Sequence, residues 1–401
     1  MTRVALIPSA YPPSVGGVEE LTRHLALALI AAGDEVEVWT CFPDDRAPES
    51  VEVRDGFVVR RFPMPLPATN LSALGRTATT GLKTLRSLRR AVAAFEPDVL
   101  HVQCFGPNGA YATGLARLTG IPLVVTLQGE TVMDDTDLFD ISRVMRTALR
   151  VGLRSASAVT ACSQFTMDDA IARFGLDAER GLVIPNGVEM DGLGPLSDTG
   201  ETAPVPLLGG TPYVLALGRV VDKKGFDLLL AGYAAMNPTM RTADLVIGGT
   251  GPALEGLEAQ AEASGIGDRI HFVGRLSREQ VASAMADAAV FVMPSRLEPF
   301  GIVALEGWRA GTAVVATSRG GAPEFITDER DGLLVDPFDT AAVAGVLERI
   351  LSDVGLRNSI AAAGRQKVEQ FAWPLIAERY RAVHATVRTS AAGMRHRVDA
   401  P

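Results

Sequence analysis

Residues 289–317 read "AVFVMPSRLEPFGIVALEGWRAGTAVVAT". An apolar run of strand length leads into a loop. The loop leads into a helical segment that Gly311 closes, and a second apolar run follows. Strand, helix and strand in this order make a parallel crossover unit. Two glutamates stand in it among apolar residues and glycines: Glu298 in the loop and Glu306 on the helix. Carboxylates in such surroundings call for a partner.

The same alternation runs outward in both directions. On the N-terminal side "RVALIPS" and "EVEVWT" read as strands, with the helix "VEELTRHLALALIAAG" between them. Val18, Leu21, Leu25 and Leu29 recur there at helical spacing, and Gly33 stops the helix. "VEVRDGFVVRRF" reads as a hairpin turning at Asp55-Gly56. A long helix to about Phe95 follows. Then come "DVLHVQ", a helix, "PLVVTLQ", a helix from about Asp140, "AVTAC", a helix from Ser163, and "GLVIP". Residues 185–212 are rich in Pro, Gly and small polar residues and read as a linker. Beyond it "YVLALGR", "ADLVIGG", "RIHFVG", "AVFVMPS", "AVVAT" and "GLLVD" alternate with helices. One of these, "PALEGLEAQAEASG", has proline at its start. Another, "SREQVASAMADA", carries a Ser277/Gln280 capping box. The last helix opens at Pro374, and its tail is expected to fray from about Thr389.

The reading is therefore α/β, with two Rossmann-like doubly wound domains facing across a cleft. Residues 1–185 form the first, 186–372 the second, and a terminal helix spans 373–390. In such sheets ligands bind beyond the carboxyl ends of the strands.

Composition narrows the function. The chain has 401 residues and a net charge of −9. That disfavours a nucleic-acid binder, whose affinity rests on neutralising phosphates. Cys41, Cys104 and Cys162 lie far apart and suggest neither a metal site nor a disulfide framework. "MTRVALIPSAYPP" does not read as a signal peptide, and no apolar run reaches membrane-spanning length. The expected location is cytoplasmic, with peripheral contact at the inner face of a membrane as an alternative.

Three glycine-rich loops follow strands. "SVGGVEE" sets Gly16-Gly17 before a helix, whose free N–H groups suit an anion. "GRVVDKKGFD" brings Arg219 and Lys224 beside another helix start, a plausible diphosphate clamp. In "IGGTGP", Gly249 and Gly251 permit close approach to a ligand.

Several ordered motifs resemble one family. "PSRLEPFGIVALEGWRAGTAVVAT…GGAPE" resembles the E-x7-E signature of glycosyltransferase family 4, the retaining GT-B enzymes. "GGVEELTRHLALALIAAGDEVEVWT", "DVLHVQ", "VIPNGV", "LGRVVDKKG", "GGTGP", "FVGRLS" and "FAWPLIAERY" follow the family's order. The resemblance implies a retaining transfer from a UDP- or GDP-sugar to a hydroxyl of a small-molecule, glycan or lipid-linked acceptor. It implies no metal and no cofactor, the nucleotide-sugar being a co-substrate. Arg219 and Lys224 would hold the diphosphate, Glu306 the ribose and Glu298 the transferred sugar. Phe300, Gly301, Ile302 and Val303 would offer backbone groups. Arg275 would meet the base, Gly249 would approach the donor, and Gly17 would close on the diphosphate. The terminal helix typically crosses back onto the N-terminal domain.

Many relatives carry histidine where this chain has Gln103 and Gln128. His101, Gln128 and Glu130 are the acceptor and sugar candidates, although a lone His101 ending an apolar strand also reads as a core residue. The acids Glu130, Asp134, Asp135, Asp137 and Asp140 read either as a solvated, helix-capping loop or as a site for a cationic acceptor such as an amino-cyclitol. In "RTATTGLKTLRSLRRAVAAF", Leu82, Leu85, Leu88 and Val92 share a face, with Lys83, Arg86, Arg89 and Arg90 elsewhere. That pattern fits a domain helix or a membrane-docking one. Two other functions stay open: a GT-B nucleotide-sugar epimerase, and a two-domain protein that closes on a ligand without chemistry.

Overall fold

The computed structural model describes residues 1–14, 16–42, 49–65, 71–134, 137–190 and 210–398, with side chains described outside 71–78 and 392–398. Most of the linker segment, residues 191–209, and Asp135 lie outside the described residues. The chain forms two compact units. Met1–Gly187 and Trp373–Pro401 make the first, and Val188–Ala372 the second.

The first unit holds strands β1 (Arg3–Pro8), β2 (Glu35–Cys41), β3 (Ser50–Arg54), β4 (Phe57–Phe62), β5 (Val99–Gln103), β6 (Leu123–Leu127), β7 (Ala158–Ala161) and β8 (Gly181–Val183). They form one sheet in the order β3-β4-β2-β1-β5-β6-β7-β8. Among the described strands only the β3–β4 hairpin is antiparallel, and Asp55-Gly56 turns it with positive φ at both residues. The central strands β5 and β6 are buried along their whole length, as strands covered on both faces must be.

Its helices are α1 (Gly17–Ala31), α2 (Leu71–Phe95), α3 (Pro107–Thr119), α4 (Glu130–Met133), α5 (Leu138–Ile141), α6 (Arg143–Ser155) and α7 (Gln164–Phe174). The helix expected from about Asp140 is two elements. A single turn ends at Ile141, and Ser142 then caps α6 by accepting from Met145 N.

The second unit holds β9 (Tyr213–Leu217), β10 (Asp244–Gly248), β11 (Ile270–Gly274), β12 (Val290–Met293), β13 (Val314–Thr317) and β14 (Leu333–Val335). All are parallel, in the order β11-β10-β9-β12-β13-β14. The helices are α8 (Phe226–Ala235), α9 (Leu254–Ala263), α10 (Arg278–Asp287), α11 (Ile302–Ala310), α12 (Ala322–Phe325), α13 (Thr340–Ser352) and α14 (Val354–Lys367). Both halves of the Ser277/Gln280 capping box form. Pro252 does not open α9. It lies in the turn before it, where Ala253 N donates to the Val220 carbonyl.

The last helix, α15 (Trp373–Val398), packs against α1 in the first unit. Its tail does not fray from Thr389: the helix continues to Val398. Just ahead of Thr389, Val387 is buried and Arg388 donates to the Met1 carbonyl. Gly187 lies against the Trp373 indole, where any Cβ would come within 2.6 Å of the ring.

Candidate active site

In the second unit the chain runs β9, β10, β11 toward one edge and β12, β13, β14 toward the other. The topological switch point therefore lies between β9 and β12. Ligands of open α/β sheets bind outside the carboxyl ends of the strands at this place. The loops leaving β9, β10, β12 and β13 meet there, and glycines let them touch backbone to backbone. A Cβ on Gly249 would stand 1.8 Å from the Gly218 carbonyl oxygen, and one on Gly251 2.2 Å from that of Val220. A Cβ on Gly225 would stand 2.1 Å from the Pro294 oxygen, and one on Gly320 2.1 Å from that of Glu298. Hydrogen bonds stitch the same seams: Arg296 N to Lys223 O at 3.0 Å, and Glu298 N to Arg319 O at 3.1 Å.

This stitching sets Lys224 beside Glu298. Lys224 Nζ donates to Glu298 Oε2 at 2.7 Å, and the Ser295 hydroxyl donates to the same oxygen at 2.7 Å. Ser295 is wholly buried and Glu298 nearly so. Arg219, one residue past Gly218, is exposed. Arg275 is likewise exposed, after β11 and the left-handed Gly274.

Gly301 precedes α11 with φ +98°. Ile302 and Val303 fill the first turn and are half-buried. Their N–H groups lie among those a helix start leaves without intrahelical partners. The Phe300 side chain stacks on Phe325 at 4.7 Å in the core, so only its backbone is free to meet a ligand. Glu306 is half-buried on α11. Burial pushes its carboxyl up, while Arg309 and Arg278 pull it down. Among the described residues no donor hydrogen-bonds to it.

The first unit has its own switch point, between β1 and β5. Gly17 opens α1 after β1, with open space where a Cβ would stand. Gly16 is different, because the Glu19 carboxylate lies against it, 2.6 Å from a Cβ built there. An acidic group already stands beside this half of the loop.

Two acceptor candidates prove to be internal. His101 is wholly buried: its Nε2 lies 2.8 Å from Thr126 Oγ1, and its Nδ1 3.1 Å from His384 Nε2 on α15. Burial drives its pKa well below the ordinary histidine value, and His384 adds to this. The ring completes a core network and reaches no ligand surface. Glu130 accepts from the backbone N–H groups of Phe105, at 2.5 Å, and Gln128, at 2.7 Å. Burial raises its carboxyl to about 7 despite those bonds. It braces the β5 and β6 loops. Gln128 is half-buried and donates to Gln103 Oε1 at 3.2 Å.

The acidic loop is engaged locally. Asp134 accepts from Leu138 N, and Asp140 pairs with Arg173. Leu82 is exposed rather than part of the buried stripe on α2, whereas Leu88 is buried. Among the described residues, no group of three or more His, Cys, Asp or Glu side chains is arranged to hold a metal. Sequence reading passed over Ser295, although it adjoins the Glu298 loop in "PSRLE", and it passed over His384.

Family comparison settles the class. The model described as glycosyl transferases group 1 matches residues 201–367, and the glycosyl transferase 4-like domain model matches residues 16–187. The chain belongs to the family 4 GT-B glycosyltransferases. It is 29% identical to a D-inositol 3-phosphate glycosyltransferase of Xylanimonas cellulosilytica, over 89% of this chain and 88% of the relative. It is 28% identical to a GDP-mannose-dependent α-(1-6)-phosphatidylinositol monomannoside mannosyltransferase of Mycobacterium tuberculosis, over 94% and 96%. The fold matches sucrose-phosphate synthase from Thermosynechococcus elongatus with a TM-score of 0.79 and 25% identity, over 97% of this chain and all of that one. As a member of the family, the chain is a glycosyltransferase.

Proposed function

We propose that this glycosyltransferase retains anomeric configuration as it moves a sugar from a nucleotide diphosphate to an acceptor hydroxyl, and that it does so without a metal. The observation that carries the reading is the joined Lys224–Glu298 pair at the β9/β12 switch point, with Arg219 exposed on the same loop that leaves β9. In this reading Lys224 and Arg219 supply positive charge to the diphosphate. That charge matters most as the bond to the sugar breaks and the phosphate gains negative charge. The Gly301–Val303 helix start adds backbone donors. The Glu306 carboxylate, with no donor of its own among the described residues, takes the ribose diol. Glu298 meets sugar hydroxyls. Two donors on its Oε2, the Ser295 one wholly buried, suit an orienting group better than a nucleophile, which supports retention without a glycosyl-enzyme.

For the acceptor, the names of two relatives carry an inositol unit. They support a cyclitol hydroxyl. Of the acids that suggested a cationic acceptor, Glu130 accepts from Phe105 N and Gln128 N, Asp134 from Leu138 N, and Asp140 pairs with Arg173, so these three lend that alternative little support. Peripheral membrane contact has a surface to support it. Arg143, Arg146, Arg150 and Arg154 recur along α6, with Ile141 and Val144 exposed at its start. Helices α2, α3 and α6 contain no acidic residue, and α3 packs against both of the others. Such a basic face suits anionic lipid headgroups.

Calorimetric titration with UDP, GDP, ADP and dTDP in EDTA tests the donor half. Tight binding of one supports the clamp and limits the donor to sugars carried on that base. No binding to any overturns it.

A further inference from the structure

Glu298 is held by three kinds of contact. Its backbone is gripped on both sides: Glu298 N donates to Arg319 O, and Gly321 N donates to Glu298 O. Its Oε2 accepts from Lys224 Nζ and from Ser295 Oγ, each at 2.7 Å. Its Oε1 accepts from no described residue, which leaves that oxygen for a ligand hydroxyl.

The two donors on Oε2 differ in kind. Lys224 offers three protons on a flexible stem and is strongly attracted by phosphate. Ser295 has one proton, lies wholly buried and is locked in the segment between Pro294 and Arg296. That segment is pinned to the lysine loop by the Arg296 N to Lys223 O bond and by the close approach of Gly225 to Pro294. Should a diphosphate draw the lysine away, the serine is the side-chain donor among the described residues that still holds Oε2, beside the two backbone bonds.

We infer that Ser295 is a positioning residue for the transfer: its buried hydroxyl keeps Glu298 Oε1 turned toward the sugar while Lys224 serves the leaving diphosphate. This rests on the reading of Lys224 and Glu298 given above. A nucleoside diphosphate lacks the sugar, so its binding does not depend on Ser295. Turnover does.

The test is a double-mutant cycle of Ser295→Ala and Glu298→Gln. It is read by calorimetry with the nucleoside diphosphate and by turnover of the nucleotide-sugar, with water as acceptor where no better one is known. Ser295→Ala is expected to leave diphosphate affinity within about twofold and to lower kcat roughly ten- to a hundredfold. In the Glu298→Gln background it is expected to add less than about twofold, because residues acting through one contact are not additive. Wild-type turnover of Ser295→Ala beside an impaired Glu298→Gln overturns the serine inference and leaves the Glu298 reading standing. Equal losses in both backgrounds also overturn it, since the serine then acts on structure alone. Wild-type turnover of Glu298→Gln overturns the underlying reading instead. Should Ser295→Ala fail to fold, Ser295→Cys keeps the volume with a weaker donor. It is expected to lose turnover partially, and full activity would overturn the inference.

Discussion

Lys224 Nζ and Glu298 Oε2 lie 2.7 Å apart although 74 positions separate them in the chain. Their side chains are only 19% and 8% exposed. Removing the cation from such a pair leaves a carboxylate with little water to replace it. Lys224→Met should therefore lose on the order of 3 kcal/mol of stability, read by urea titration. It should also lose diphosphate affinity by roughly a hundredfold. A Lys224→Met protein that binds diphosphate normally would remove Lys224 from the clamp.

Two glycines should respond differently to the same substitution. Gly249 has φ +139° and no room beside the Gly218 carbonyl. Gly249→Ala must push the β9 and β10 loops apart, and it should both destabilise the protein and weaken nucleotide binding. Gly17 has open space. Gly17→Ala should melt within about a degree or two of the native protein. A drop in turnover without a drop in Tm would then mark Gly17 as a contact residue.

Much of this architecture is legible in the sequence. Apolar runs such as Val99–Gln103 and Tyr213–Leu217 announce buried parallel strands, and Asp55-Gly56 announces its hairpin. What sequence spacing does not carry is the pairing of distant side chains. Lys224 reads as a phosphate ligand and Glu298 as a sugar ligand, yet they touch each other because glycines 225 and 320 seat their loops together. His101 reads ambiguously because its partner, His384, lies 283 positions away on α15. Glu130 reads as an exposed acid because nothing local reveals that two backbone N–H groups converge on it.

The histidine pair gives a pH dependence. Burial lowers the His384 pKa to about 4, with Arg381 adding to the shift and Asp34 opposing it. The unfolded chain takes this proton near 6.5, the folded chain only near 4. The contribution is therefore complete above about pH 7 and is lost as pH falls from 6.5 toward 4. For His384 alone the loss is about 3 kcal/mol by the lower limit. The Glu130 and Glu306 carboxyls, raised by burial, act in the opposite sense over part of this range, so the His384 share of any fall in urea midpoint below pH 6.5 is read against a variant lacking the imidazole. In His384→Asn that fall should be shallower, and an unchanged slope would assign it to other groups.

The basic face of α6 predicts a separable membrane contact. Arg146→Glu with Arg150→Glu should abolish sedimentation with vesicles containing anionic lipid, while leaving nucleoside diphosphate affinity unchanged. High salt should mimic the substitutions, since attraction between exposed charges is screened. Native protein that ignores anionic vesicles at low salt would dismiss this surface.

Glu306 should show a conflict between stability and binding. Burial raises its carboxyl above the ordinary value of 4.5, so the folded state disfavours the charged form. The penalty is full above the folded pKa and vanishes below the unfolded one. Glu306→Gln removes the charge at little change in shape. It should raise Tm at pH 7 to 8 and have no stabilising effect near pH 4. The same variant should bind the nucleoside diphosphate roughly ten- to a hundredfold more weakly, because an amide offers a ribose diol one accepting oxygen where the carboxylate offers two. A gain in Tm at neutral pH with nucleotide affinity unchanged would leave the carboxylate desolvated for some purpose other than the ribose. A loss of both would make Glu306 a structural ion-pair residue of α11, held by Arg309 and Arg278.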